Sequence, residues 1–151
     1  MAAYTSISAL LEHLGGTLGG TGWQVVDQRR IDAFAEVTGD RQWIHVDRER
    51  ARTESPYGTT VAHGALTLAL GVAFLTELLD IGGVRLVVNG GLNKVRFRAP
   101  VLVDSRVRGT ATLVEARTLT GGARIVVRVT VEIEGESKPA CVADQVLVLY
   151  E

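Results

Sequence analysis

Ala65-Leu66-Thr67-Leu68-Ala69-Leu70-Gly71-Val72-Ala73-Phe74-Leu75-Thr76-Glu77-Leu78-Leu79 is apolar on nearly every face. A helix of that kind is normally buried all round, so the rest of the chain has to be arranged to cover it. The stretch falls short of the roughly 20 apolar residues that a membrane span requires, and Thr67, Thr76 and Glu77 interrupt it. It reads as a core helix, and no membrane partner is expected.

What covers the helix lies downstream, where hydropathy alternates with a period of two. Val107, Gly109, Ala111 and Leu113 point one way and Arg106, Arg108, Thr110 and Thr112 the other. Ile125, Val127, Val129, Val131 and Ile133 repeat this against Arg128, Thr130, Glu132 and Glu134, and Thr120-Gly121-Gly122 supplies the turn of a hairpin. Ala140 to Leu149 is apolar on both faces, which predicts a central or covered strand. Val84 to Val88 and Lys94 to Arg98 read as two further strands with Asn89-Gly90-Gly91 between them and Pro100 closing the second. Helical and strand segments thus fall in separate halves, the pattern of an α+β domain spanning residues 1–151.

Upstream of the core helix, Ser6 is placed to cap a helix reaching Leu14, and a glycine-rich stretch leads to a short strand at Trp23 to Val26. Asp27 can cap a helix that puts Ile31, Phe34, Ala35 and Thr38 on one face and stops at Gly39. Asp47 can cap another over Arg48 to Thr53. Between them, Asp40 to Val46 is expected to be an irregular loop.

The chain has 151 residues and a net charge of -1, so neither nucleic acid nor an anionic surface is favoured as a partner. The N-terminal residues lack the features of a secretory signal. Cys141 is the sole cysteine and lies in an apolar run, which reads as a reduced core thiol in a cytoplasmic protein.

Chemistry concentrates at Thr38-Gly39-Asp40-Arg41-Gln42-Trp43-Ile44-His45. Five residues apart on one helix, Asp40 and His45 would diverge, whereas in a loop they can converge on one small molecule. A carboxylate and an imidazole can hold a water and move its proton. The plainer alternatives are that Asp40 merely finishes a helix and that His45 is satisfied by a backbone carbonyl. Asp40, His45 and His63 match no dense metal-ligand spacing, and no metal is expected. Tyr57-Gly58-Thr59-Thr60-Val61-Ala62-His63-Gly64 runs into the core helix, whose first N–H groups lack intrahelical partners and suit an oxygen that gains charge during reaction. Gly64 would let a substrate approach that backbone; otherwise Ala62-His63-Gly64 is simply a tight turn.

Together these blocks resemble the MaoC-like, (R)-specific enoyl-CoA hydratases. The resemblance rests on Phe34 to Ala51, with its Gly39-Asp40 pair and His45, on Ser55 to Gly64, and on Gly91-Leu92-Asn93-Lys94-Val95-Arg96-Phe97-Arg98-Ala99-Pro100-Val101. It implies the hot dog fold, a curved antiparallel sheet wrapped around the long apolar helix, and a homodimer. It also implies a small-molecule substrate, an acyl thioester, with coenzyme A as part of the substrate and no separate cofactor. By that resemblance, Asp40 activates a water for addition to a trans-2-enoyl thioester, and His45 orients it and shares in proton transfer. Gly64, His63, Tyr57, Arg96 and Arg98 are the expected substrate-binding residues, the arginines with Lys94 facing the coenzyme A phosphates; a solvated strand face explains these three charges equally well. Gln42-Trp43 replaces the family's Asn-Pro, and Ala69 stands where some members have serine. Acyl length is expected to depend on Leu66, Leu70, Phe74 and Trp43. Two rival functions share the fold: thioester hydrolysis, and a non-catalytic acyl-binding or partner subunit.

Overall fold

The computed structural model describes residues 2–151. In chain order its elements are β1 (Ala2–Tyr4), α1 (Ile7–Leu11), β2 (Thr17–Gly20), β3 (Gln24–Val26), α2 (Gln28–Thr38), α3 (Trp43–Val46), α4 (Arg48–Glu54) and α5 (Gly64–Leu78). They continue with β4 (Leu79–Ile81), β5 (Leu86–Phe97), β6 (Ser105–Leu119), β7 (Gly122–Ile133) and β8 (Cys141–Tyr150). The main sheet is antiparallel, in the order β2-β6-β7-β8-β5, with β3 pairing along another part of β6. A separate parallel pair, β1 with β4, ties the N-terminus to the end of α5.

The core helix α5 packs across β6, β7 and β8. The alternation of the two hairpin strands sets which side faces it: Val107, Ala111 and Leu113 of β6 and Ile125, Val127, Val129, Val131 and Ile133 of β7 are buried. Gly109 takes its place in that inward row because Phe74 of α5 occupies the space; a Cβ there would lie 2.5 Å from the phenyl group. Phe74 is thereby almost wholly buried, a contribution of about 1.5–3 kcal/mol in apolar transfer alone. Cys141 is free and buried in the same layer. Burial pushes its thiol pKa up, which keeps it in the unreactive neutral form.

Three expectations change. The segments on either side of Asn89-Gly90-Gly91 are not two strands but one, β5, whose pairing with β8 slips at Asn89/Gly91 and again at Leu92/Lys94. The glycines therefore serve bulges, with Gly91 at φ 130°, rather than a turn. Helix α1 stops at Leu11, short of Leu14, although Ser6 caps it as expected by accepting from the Ala9 amide. And α5 is not buried all round. Ala65, Ala69, Ala73, Thr76 and Glu77 are exposed, because one sheet covers only one side of a helix. Beside this face, β5 leaves Leu86, Val87, Val88, Leu92 and Phe97 between 40% and 54% exposed. Among the described residues no helix is long and apolar enough to cross a membrane.

Candidate active site

Two helix ends place the acid/base residues. The Asp27 side chain caps α2 by accepting from the Arg30 amide, and Gly39 ends that helix in the left-handed conformation at φ 78°. The reversal puts Asp40 outside the helix and exposed, its carboxylate accepting only a long 3.4 Å contact from the Gln42 amide. Farther on, Asp47 caps α4. The segment between is not irregular throughout: Trp43–Val46 forms the single turn α3, which carries His45 into the interior. Five residues after Asp40, at His45, the chain has turned a helical corner, and this brings the two side chains together.

The strand-like segment before α5 holds this turn in place. The Val61 amide donates to the Ile44 carbonyl at 3.1 Å, and the Val61 carbonyl accepts from His45 Nδ1 at 2.7 Å. A carbonyl only accepts, so Nδ1 carries the proton and Nε2 is left with a lone pair when the ring is neutral. Gln28, at the start of α2, donates to the His45 carbonyl at 2.7 Å and accepts from the buried Thr60 hydroxyl at 2.5 Å. Gln28, Thr60 and Val61 carry no signal of these roles in the sequence, because they act through ordinary polar or backbone groups brought in from distant positions.

His45 is buried and its pKa is lowered below the ordinary 6.5. Desolvation is the main cause. The Val61 hydrogen bond opposes it, neighbouring His63 adds to it, and Asp40 again opposes it. The His45 and His63 rings stack at 3.8 Å between centroids and 24° between planes. A carboxylate oxygen of Asp40 and one nitrogen of each ring lie within 4.8 Å of one another. The in-plane lone pairs of two rings stacked within 24° of parallel do not converge on one point. The arrangement suits proton handling better than chelation.

A cavity of about 380 Å³ opens beside His45, lined also by Ile44, Tyr57, Val61, Ala62, Gly64, Thr67, Phe97, Arg98, Ala99, Pro100, Val101 and Ala140. Gly64 begins α5, and no side chain caps that start, so the first N–H groups have no acceptor within the helix. A Cβ on Gly64 would lie 3.3 Å from the Phe97 ring, so a larger residue would crowd the opening. A second cavity of about 420 Å³ sits at the far end of α5 against Leu79, Val84, Asn89 and Leu147. None of its lining residues is a histidine, cysteine or lysine.

The structure therefore gathers His45, Gly64, Tyr57 and Arg98 around one cavity, and it puts the Asp40 carboxylate outside that lining but within 4.8 Å of a His45 ring nitrogen. It does not bring in the others named from sequence. His63 is 2% exposed, does not line the cavity, and turns its Nε2 to the Asp40 carbonyl at 2.9 Å. Arg96 pairs opposite Val142, and Lys94 opposite Asp144; their register puts them on the face of the sheet away from α5. Asp144 there is bridged by Arg128 at 2.7 and 2.9 Å, which holds its carboxyl pKa below the ordinary range. The residues expected to set acyl length also lie elsewhere: Leu66 and Phe74 in the core, Leu70 packed against it, and Trp43 beneath the Arg50 guanidinium at 4.4 Å.

Residues 11–136 match the family model described as MaoC like domain. The chain is 46% identical over 148 residues to a protein of Mycobacterium tuberculosis (strain CDC 1551 / Oshkosh) named 3-hydroxyacyl-thioester dehydratase Z, covering 97% of each chain. It is 42% identical over 147 residues to nodulation protein N of Rhizobium leguminosarum bv. viciae, covering 95% of this chain and 91% of the other. Among solved structures, the unliganded R-hydratase PhaJ1 from Pseudomonas aeruginosa superposes with a TM-score of 0.76 at 22% identity, covering 98% of this chain and 87% of that one. The chain belongs to the MaoC-like dehydratase family, hydro-lyases built on the hot dog fold.

Proposed function

We propose that this protein adds water across the double bond of trans-2-enoyl thioesters, giving (3R)-3-hydroxyacyl thioesters, and runs the reverse dehydration. The observation that carries the reading is the tautomer imposed on His45: with Nδ1–H given to Val61, both Nε2 and the Asp40 carboxylate are acceptors. One water has two O–H donors for two such acceptors, which leaves an oxygen lone pair free to attack C3.

Asp40 takes one proton as the O–C3 bond forms, and the π electrons move toward the thioester carbonyl. The Gly64 amide at the start of α5 stabilises the enolate-like oxygen. The proton held by the pair then passes to C2, with His45 sharing in the transfer, and the net change is addition of one water. Acid, base and electrophilic groups are all supplied by the chain, so this reaction calls for no cofactor beyond the coenzyme A of the substrate. Tyr57 and Arg98 line the cavity and are the substrate contacts. Arg96, Lys94 and His63 are withdrawn from that role for this subunit.

We assign the exposed face of α5 and the free side of β5 to a second copy of the chain, as the family resemblance implies. Sizing of the purified protein at twice the chain mass supports this, and a larger species containing a different subunit contradicts it. The unpaired Cys141 fits a reducing, cytoplasmic setting.

Hydrolysis of the thioester is the rival reading. It gains nothing from the central helix, where Glu77 is the sole carboxylate, exposed and engaged by Gln24. Glu77 is thirteen positions along the helix from Gly64, about 20 Å at 1.5 Å per residue. Thiol release from saturated acyl-CoA, compared with loss of ultraviolet absorbance from trans-2-enoyl-CoA, separates the two. The proposal expects the second without the first.

A further inference from the structure

We propose that His63 is a positioning residue for the acid/base pair, holding Asp40 through its backbone while forming the wall against which His45 stacks; this rests on the hydratase reading above. The segment Thr60 to His63 grips both ends of the catalytic turn. Val61 holds the His45 end through the Ile44 carbonyl and the imidazole, and His63 holds the Asp40 end through Nε2–H. The same segment continues without a break into Gly64, so one short stretch fixes base, water-orienting group and oxyanion donor relative to one another.

The tautomer of His63 follows from its surroundings. The Asp40 carbonyl is an acceptor, so the proton sits on Nε2, and Nδ1 is a bare acceptor. Nδ1 is buried and has no hydrogen-bond partner, an arrangement that does nothing for stability. A residue kept for packing alone would fill this space better with an apolar side chain. The ring is packed against two others, stacked on His45 at 3.8 Å and tilted against Phe34 at 5.0 Å, which leaves Nε2 little freedom to miss its target. Asp40 otherwise has only long contacts at 3.4 Å, from its amide to the Thr38 hydroxyl and from Gln42 to its carboxylate. Loss of the His63 bond would release the base from its setting.

The test compares His63→Gln, His63→Asn and His63→Leu in the full chain, with steady-state kinetics on trans-2-enoyl-CoA. A Gln amide nitrogen can reach the place of Nε2, whereas that of Asn stops near Nδ1. Because a misplacement of about 1 Å is worth on the order of 10²-fold in rate, Leu and Asn are expected to lower kcat by roughly 10–100-fold with KM within about twofold, and Gln to restore kcat to within about threefold of the parent. Equal kcat in all four proteins, or losses in Gln as large as in Asn, would overturn the proposal. If the Leu variant does not fold, the Gln and Asn pair still decides. Nitrogen-15 spectra of the histidines at pH 8 give a readout without substrate: His63 protonated at Nε2 and His45 at Nδ1 are expected, and His63 protonated at Nδ1 contradicts the assignment. A parent enzyme inert toward every enoyl-CoA would instead fault the functional reading, while the spectra would still judge the contact.

Discussion

His45 gives its Nδ1 proton to the Val61 carbonyl at 2.7 Å, and that bond decides which nitrogen is available for chemistry. The ring has to be neutral for Nε2 to accept a proton from water. Burial lowers its pKa below 6.5, so the acid limb of kcat/KM is expected below pH 6.5. A limb above pH 7 would contradict the role. The same depression links to stability. An unfolded chain takes up a proton on His45 before the folded one does, so this contribution is present above pH 6.5 and is lost as pH falls through the lower folded value. Thermal melts between pH 5 and 8 should show stability falling on the acid side.

Asp40 is exposed and makes little use of its carboxylate in holding the fold. Asp40→Asn is therefore expected to leave the melting temperature unchanged while lowering kcat by roughly 10²–10⁴-fold. A fall in melting temperature with activity retained would mark Asp40 as a structural helix end.

Gly64 is the first residue of α5, and a Cβ on it would lie 3.3 Å from the Phe97 ring. Gly64→Val puts two methyl groups where the thioester carbonyl has to approach the amide, and Phe97 has to move. The expected result is a loss of kcat/KM of at least about 10²-fold, on the scale of one lost oxyanion donor or more, with the fold retained by circular dichroism. Unchanged kinetics would place the oxyanion site elsewhere.

On the opposite face of the sheet, Arg128→Met leaves the Asp144 carboxylate, on a side chain 10% exposed, without its partner. Arg128 is about half exposed, so the cost is discounted for solvent to about 1–2 kcal/mol at neutral pH. The carboxyl pKa is held below 3.8 in the folded parent, so the bond stabilises the protein above that value and its benefit disappears as pH falls through the folded pKa. Urea melts of parent and variant should converge in acid; a constant difference down to pH 2 would contradict the ion-pair explanation.

The sequence made some of this readable and left other parts closed, for physical reasons. Strand alternation is a local property, so Val107 to Leu113 and Ile125 to Ile133 announced their buried faces, and Gly39 announced the reversal that frees Asp40. Bulges are not local in this sense: whether Asn89-Gly90-Gly91 turns the chain or only kinks it depends on whether β8 pairs on both sides of it. Burial of the core helix was overstated for a related reason, since an apolar face does not say whether its cover comes from the same chain. In the site, Asp40, His45 and Gly64 carried recognisable chemistry. Gln28, Thr60 and the Val61 carbonyl did not, and the turn of helix at Trp43–Val46 depends on their contacts. The two alternating charges Lys94 and Arg96 had no way to reveal which face they would take until the register with β8 was known.

The most direct test of the account is the product formed when the protein is incubated with a trans-2-enoyl-CoA in water. The expected product is (3R)-3-hydroxyacyl-CoA, with no free thiol released and with turnover lowered by roughly 10²–10⁴-fold in folded Asp40→Asn or His45→Gln. Formation of the (3S) product, release of free coenzyme A, or turnover by both variants equal to that of the parent would contradict it.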